Sequence, residues 1–265
     1  MCVEPGRQPT NLLNVLRFIV ANPESIPILA GKVLKRVKDR SSASSIADNQ
    51  KWIEDSAIAA DSLATRLDAG LWSEAKEFGE HLRQRAAKIL PQVPFDMGGG
   101  GNYVLLYWMT RYLRPTYVVE TGVAAGWSSE AFLTAMEKNG HGTLYSSDLP
   151  YFRVRNAAKY IGVLVSEGLR SRWHLLTSGD GRALPQILAE VPHVDLFHYD
   201  SDKSYSGRQF AVGLVAPKLS PRGVILVDDI TDDPWFHDYS ASTDWPNAVV
   251  DARSGLVDPS KRLLS

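Results

Sequence analysis

The segment VVETGVAAGWSS, residues 118–129, predicts a buried strand, a glycine turn and the start of a helix. Apolar residues precede the turn, and Ser128 begins an amphipathic stretch that follows it. Gly122 and Gly126 lie within the turn, where residues without a side chain let a ligand approach the main chain closely. This order of elements is typical of the first strand of a doubly wound parallel sheet, in which ligands bind at the carboxyl ends of the strands.

The spacing of the glycines indicates which kind of ligand the turn binds. A dinucleotide-binding turn has the pattern G-x-G-x-x-G, whereas Gly122 and Gly126 form only G-x-x-x-G. The acidic residue Glu120 precedes them, and a carboxylate there opposes a pyrophosphate and favours a cationic ligand. S-adenosylmethionine carries a sulfonium and an ammonium group, so the pattern favours it over NAD.

Two further strand ends carry acidic residues. Residues 142–149, GTLYSSDL, predict a second strand that ends at Asp148, where a carboxylate commonly accepts hydrogen bonds from ribose hydroxyls. Residues 172–188 predict a third strand, a turn at Gly179 and Asp180, and a helix. Asp180 could accept a hydrogen bond from an adenine amine. The alternatives are that Asp148 caps a helix and that Asp180 only forms a turn.

Two acidic clusters follow apolar runs further along the chain. The sequence Asp-Ser-Asp-Lys, residues 200–203, follows the run 194–199, and Asp228 and Asp229 end the β-branched run 223–227. If both runs are parallel strands, the two clusters lie at the same edge of the sheet as Gly122. Three converging carboxylates form a hard-oxygen site that suits Mg²⁺. The alternative is a solvated, salt-bridged turn.

Together with HYDSDKSY (198–205) and GVILVDDI (223–230), these segments resemble a class I S-adenosylmethionine-dependent methyltransferase. Within that class the chain is similar to the cation-dependent O-methyltransferases of the catechol and caffeoyl-CoA type. It also resembles the sugar O-methyltransferases of macrolide and bacterial glycan pathways. The resemblance covers residues 103–230 and implies an α/β, Rossmann-like fold: a mainly parallel, seven-stranded-type sheet with helices on both faces.

The resemblance also assigns roles to individual residues. It implies that a divalent cation, Mg²⁺, is bound by Asp200, Asp228 and Asp229. It implies that Lys203, with Asp200, forms the catalytic pair, in which the lysine takes the proton of the acceptor. The family often has Asp-Asn where this chain has Asp-Asp, and its sugar-modifying members often have histidine in place of the lysine. The candidate residues for binding S-adenosylmethionine are Glu120, Gly122, Gly126, Ser128, Asp148, Gly179 and Asp180.

Composition narrows the possible functions. A net charge of −1 argues against nucleic acid as a partner. The single cysteine, Cys2, excludes a disulfide framework and a cysteine zinc site. We find no run of about 18 apolar residues that would span a membrane, and no signal-peptide pattern at the N-terminus. We therefore expect a cytoplasmic protein.

Interruptions of the periodic apolar pattern along the chain predict two parts. These are a helical N-terminal appendage, residues 1–95, and a methyltransferase domain, residues 96–265. The appendage is expected to contain helices at 11–21, 56–68 and 73–89, and a basic helix that ends near residue 40, with a solvated face. Its exposed helices make a homodimer plausible. The four glycines 98–101 are expected to form a lid before a helix at 102–113, and the sheet is expected to begin near Thr116. Residues 247–251 and 261–264 are the candidate strands of a terminal hairpin.

The sequence thus predicts Mg²⁺-assisted O-methylation of a hydroxyl on a sugar, an oligosaccharide or a glycosylated metabolite. The sequence context of the acidic clusters and the seven tryptophans favour a sugar acceptor, whereas Lys203 favours a phenol or catechol. His198 is expected to be a core residue, and His237 to be incidental rather than an alternative base. An NAD-dependent oxidoreductase and a non-catalytic scaffold are the competing classes.

Overall fold

The computed structural model describes residues 12–21, 23, 26, 30 and 43–264. The basic helix predicted to end near residue 40 lies outside this part of the chain. The α-helices of the described residues are α1 Leu12–Ala21, α2 Ala43–Ser56, α3 Ala60–Ile89, α4 Tyr103–Leu113, α5 Trp127–Asn139, α6 Asp180–Glu190, α7 Tyr205–Val215 and α8 Trp235–Ser242. The strands are β1 Ala57–Ile58, β2 Tyr117–Thr121, β3 Thr143–Ser147, β4 Trp173–Leu176, β5 Val194–Tyr199, β6 Leu219–Val227, β7 Asn247–Val250 and β8 Ser254–Val257.

The strands form one sheet in the order β1-β7-β8-β6-β5-β2-β3-β4. All neighbouring strands are parallel except β8, which pairs antiparallel with β6 and with β7. The strand order reverses between β2 and β5, so the carboxyl ends of these central strands border a crevice. The predicted α/β fold is therefore confirmed.

Helices cover both faces of the sheet. On one face Val118 packs with apolar residues of α3, α4 and α5, and on the other face Val119 packs with residues of α2, α6, α7 and α8. Successive residues of a strand point to opposite faces, which is why a strand buried on both sides has consecutive apolar residues. Among the described helices, none is long and apolar enough to cross a membrane.

The terminal hairpin differs from the prediction. β7 and β8 form it, whereas residues 261–264 are not a strand. Asp251 and Ala252, in the turn between the strands, have φ of 52° and 49°, a conformation usually adopted by glycine or asparagine. The sequence therefore lacks the usual hairpin signal. Leu263 is buried instead in an irregular segment, where its backbone N–H donates to Asp258 Oδ2 at 2.6 Å.

The N-terminal region also contributes to the sheet. β1 pairs in parallel with β7, so the expectation that the sheet begins near Thr116 is wrong. A strand of two residues is too short to show an alternating pattern. The predicted helices at 56–68 and 73–89 are both parts of α3, which is interrupted at Asp68 (φ −159°, ψ 93°). Asp68 Oδ1 accepts from the Leu71 N–H at 2.9 Å and so caps the second half of α3.

A buried arginine fixes the loop that follows β6. Arg208 of α7 is 1% exposed and forms an ion pair with Asp233. Its Nη2 also donates to the backbone oxygen of Asp229 at 2.6 Å. The guanidinium therefore holds both ends of this loop, including the predicted site residue Asp229.

Replacing Arg208 by methionine is expected to lower the free energy of unfolding by about 3–5 kcal/mol, because Asp233 is left buried without a partner charge. Urea denaturation measures the loss. The control is Lys51→Met, which breaks the exposed pair with Asp55 (76% and 63% exposed) and is expected to change stability by no more than about 0.5 kcal/mol. Equal losses in the two variants would contradict this role of Arg208.

Candidate functional site

A cavity of about 560 Å³ lies at the carboxyl ends of the parallel strands. The predicted site residues that line it are Gly122, Ser128, Asp148, Gly179, Asp180, Asp200, Lys203 and Asp229. These residues come from five separate stretches of sequence, which meet because parallel strands end at the same edge of a sheet. Glu120, Gly126 and Asp228 do not line the cavity.

The glycine turn after β2 lies directly against β5. Gly122 has φ of +83°, and a Cβ atom there would lie 2.1 Å from the backbone oxygen of Asp200. Gly126 has φ of +91°, and a Cβ there would lie 2.8 Å from Gly162 Cα. Gly122 thus permits the close approach of two strand ends at the cavity, whereas Gly126 permits packing of the turn against the 162 loop.

Asp148 supports the same turn from β3. Its Oδ2 accepts from the backbone N–H groups of Val123 at 3.1 Å and Ala124 at 2.7 Å, and its Oδ1 accepts from Leu149 N at 2.5 Å. Burial raises the pKa of Asp148 to about 6, against the lowering effect of these hydrogen bonds. No α-helix or 3₁₀-helix begins at Asp148, so the helix-cap alternative is wrong.

Asp180 connects three strand ends. It is the first residue of α6, after Gly179 (φ 75°). Its Oδ1 accepts from Ser147 Oγ at 2.7 Å, and its Oδ2 accepts from Ser201 Oγ. The residue therefore does more than form a turn, because it holds the ends of β3, β4 and β5 together.

Glu120, in β2, is fully buried. Its Oε2 accepts from Ser129 Oγ at 2.6 Å and from Ser146 Oγ at 2.7 Å, and burial raises its pKa. The expectation that this carboxylate lies beside a ligand is corrected, because hydroxyl groups of α5 and β3 surround it inside the sheet. Glu120 instead ties the helix after the turn to the neighbouring strand.

The two histidines are found away from the cavity wall. His198, which was expected in the core, is 2% exposed, and burial lowers its pKa to about 4. His237 on α8 packs edge-on against Trp52, with ring centroids 4.7 Å apart. Neither histidine lines the cavity.

A group of oppositely charged side chains also lines the cavity. Lys203 forms an ion pair with Asp229, and its Nζ lies 3.7 Å from Asp200 Oδ1. Burial, followed by the charge of Asp228, raises the pKa of Asp200 to about 7, and Lys203 opposes this effect. The structure thus brings Lys203 and two of the predicted carboxylates together.

Sequence reasoning missed Arg253, in the turn between β7 and β8. Its Nε donates to Asp228 Oδ1 at 3.0 Å, and its Nη2 lies 2.7 Å from Asp229 Oδ1. Ser254 Oγ donates to Asp228 Oδ1 at 2.8 Å. Arg253 also lines the cavity. The terminal hairpin is the feature that could have revealed Arg253, because the turn of this hairpin lies at the end of β6.

The carboxylates do not fit a magnesium site in this arrangement. Within the described ranges, no three His, Cys, Asp or Glu side chains are placed to hold one metal ion. Asp228 is 2% exposed and is occupied by Arg253 and Ser254. The predicted ligand set of Asp200, Asp228 and Asp229 is therefore not assembled, because side-chain cations pair with its members.

Comparison with known proteins agrees with this architecture. Residues 119–230 match a family described as a methyltransferase domain. No curated protein sequence matches the chain. A Staphylococcus aureus structure, provisionally named a caffeoyl-CoA O-methyltransferase, is 13% identical, with a TM-score of 0.50 over 79% of this chain and 98% of that one. The Podospora anserina methyltransferase PaMTH1, solved with SAH, is 14% identical, with a TM-score of 0.48 over 59% of this chain and 76% of that one.

The family match begins within β2 and includes the glycine turn and the carboxyl ends of β2 to β6, which border the cavity. Over residues 119–230 the chain is therefore similar to a methyltransferase domain.

Gly122→Ala is expected to destabilise the protein more than Gly140→Ala. Gly140 has a similar φ of +77°, but a Cβ there meets nothing within 4 Å, so its loss is the backbone strain of about 1–2 kcal/mol. At Gly122 the clash with Asp200 adds about 1–3 kcal/mol. Urea denaturation measures both changes. Equal losses would show that the close approach at Gly122 is unimportant.

Proposed function

We propose that the protein is an O-methyltransferase that transfers the methyl group of S-adenosylmethionine to a hydroxyl of a sugar, an oligosaccharide or a glycosylated metabolite. The observation that carries the proposal is the shared cavity. Gly122, Asp148 and Asp180, the proposed contacts of the nucleoside, line it together with Lys203, the proposed base. A phenol or catechol is the alternative acceptor.

The cofactor is proposed to bind along the glycine turn. Asp148 would accept from the ribose hydroxyls, and Asp180 from the adenine amine. Both carboxylates line the cavity, and so do Lys203 and Arg253, which lie beside Asp200 and Asp229. Negative charge along the turn opposes the pyrophosphate of NAD and favours the sulfonium and ammonium groups of S-adenosylmethionine. This distribution of charge supports the methyltransferase over an NAD-dependent oxidoreductase.

Lys203 is proposed as the base. Asp229 and Asp200 hold its amino group at the cavity wall. After this group has released its own proton to water, it would take the proton of the acceptor hydroxyl. Transfer then requires the acceptor oxygen in line with the methyl carbon and the sulfur, which is mainly a matter of positioning. Magnesium, which the resemblance implies, has no part in this proposal, because Arg253 and Lys203 pair with the carboxylates that would bind it.

Aromatic side chains support a sugar acceptor. Trp127, Tyr151 and Phe152 line the cavity, and flat aromatic faces pack against the apolar face of a pyranose ring. Gly98 lines the cavity as well, together with Gly99 and Gly100, which is consistent with the proposed lid.

We further propose that the protein is cytoplasmic, that it forms a homodimer and that residues 1–95 form an N-terminal unit.

Calorimetric titration tests the class of cofactor. We expect micromolar binding of S-adenosylmethionine, with or without Mg²⁺, and no comparable binding of NAD. Production of S-adenosylhomocysteine is then measured with a panel of sugars, glycosides, phenols and catechols. Binding of NAD alone would overturn the proposal, and turnover with phenols alone would replace the sugar by the alternative acceptor.

Lys203→Met is expected to reduce turnover by about 10²–10⁴-fold, the usual contribution of a general base, with unchanged affinity for S-adenosylmethionine. Lys51→Met, on the exposed surface of α2, is the matched control and should retain full turnover. The kcat is measured with the best acceptor of the panel. Full turnover by the Lys203 variant would remove its role as the base.

Affinity for S-adenosylmethionine is expected to fall as the pH is lowered through about 6. The pKa of Asp148 is raised to about 6, so its carboxylate is ionised above that pH and accepts from ribose hydroxyls, whereas the protonated acid accepts them poorly. At one pH unit below the pKa, about a tenth of the groups are ionised, so this contact is weakened about tenfold. Calorimetry at pH 5 and pH 7.5 measures the change. Asp148→Asn should remove this part of the pH dependence, and an unchanged profile in that variant would contradict the assignment.

A further inference from the structure

We infer that Arg253 supplies the positive charge at the acceptor end of the cavity in place of a divalent cation, and that its free guanidinium nitrogen binds the acceptor oxygen. The role in binding the acceptor rests on the proposed function. The replacement of the metal rests only on the contacts of Arg253, Lys203 and the three carboxylates.

The first argument is the balance of charge. Asp200, Asp228 and Asp229 carry three negative charges when ionised, and Asp228 is almost completely buried. A buried carboxylate needs a close partner charge and hydrogen bonds. Arg253 and Lys203 together provide two positive charges, as many as one divalent ion. They contact all three carboxylates, at 3.0 Å for Asp228, 2.7 Å for Asp229 and 3.7 Å for Asp200.

The second argument is the space around Asp228. A Cβ atom built on Gly101 would lie 2.5 Å from Asp228 Oδ2 and 4.0 Å from Arg253 Nη2. The backbone at Gly101 therefore lies close to Oδ2 of this carboxylate, while Arg253 and Ser254 donate to its Oδ1. A hydrated ion at Asp228 would have to displace both the guanidinium and this backbone.

The third argument is the geometry of the guanidinium. Nε and Nη2 contact the two carboxylates, whereas Nη1 has no hydrogen-bond partner within the part of the chain that the structure describes. The side chain is 45% exposed and lines the cavity. Two carboxylates hold the planar group in one orientation, so its remaining N–H groups are preorganised to donate to a ligand in the cavity.

These features define the role of Arg253 in methyl transfer. The acceptor oxygen forms a bond to the methyl carbon as the carbon–sulfur bond breaks. The electron pair of that bond stays on sulfur, which becomes a neutral thioether, and the hydroxyl proton goes to the Lys203 amine after the resting ammonium has released its own proton to water. Arg253 Nη1 donates to the oxygen and stabilises the negative charge that develops on it, as a metal ion does in other enzymes.

Manganese binding tests whether Arg253 occupies the place of a metal. Mn²⁺ is titrated into the full-length protein, with and without S-adenosylmethionine, and free Mn²⁺ is followed by electron paramagnetic resonance. We expect no saturable binding to the wild type. Arg253→Ala is expected to gain a Mn²⁺ site, and the double variant Arg253→Ala/Asp228→Asn to lose it, because the freed carboxylates are suitable ligands. Saturable binding to the wild type, or none to a folded Arg253→Ala protein, overturns the inference.

A second variant keeps the test decisive if Arg253→Ala fails to fold. Arg253→Lys retains the charge beside Asp228 but cannot span both carboxylates and also reach the acceptor. We expect its kcat to fall by about 10²-fold, with unchanged affinity for S-adenosylmethionine and with full wild-type turnover in EDTA. Unchanged kcat in Arg253→Lys overturns the catalytic role and leaves a structural ion pair.

Binding of S-adenosylmethionine, measured on the same samples, separates the two proposals. If the wild type binds neither S-adenosylmethionine nor Mn²⁺, the proposed function fails while the replacement of the metal stands. If it binds both, the proposed function stands and the replacement fails.

Discussion

The close approach of Gly122 to the backbone oxygen of Asp200 is the constraint on which the site depends. A side chain there would push the ends of β2 and β5 apart. The Gly122 N–H also donates to Ser147 O at 2.8 Å, so the same residue joins the end of β3. One backbone position thus holds three strand ends together and brings Asp148, Asp200 and the glycine turn to one cavity.

Ion pairs with two arginines hold the acidic residues that follow β6 in place. Arg208 holds the loop after β6 from below, through Asp233 and the backbone of Asp229, and Arg253 binds Asp228 and Asp229 from the terminal hairpin. Because an unpaired buried charge is strongly destabilising, the positions of these carboxylates depend on their cationic partners. The arginines therefore set the chemistry that the acidic cluster can perform.

Much of the fold could be predicted because its signals are local. Consecutive apolar residues identify β2, and an acidic residue at the end of a strand identifies Asp148 and Asp180. The terminal hairpin could not be predicted, since its turn has Asp251 and Ala252 with positive φ in place of glycine. Arg253 was missed with it. The position of Glu120 was also misjudged, because its hydrogen-bond partners lie on other elements, Ser129 on α5 and Ser146 on β3.

The sequence by itself determined the α/β architecture and the strand ends at which polar residues gather, because strand periodicity and glycine turns depend on neighbouring residues. Only the tertiary structure decided which carboxylates line the cavity and which are neutralised. Arg253 lies 25 residues after Asp228, on another strand connection, yet it forms the ion pair that occupies the predicted metal ligand. Such pairing depends on where separate segments meet in space, and no pattern of nearby residues encodes that distance.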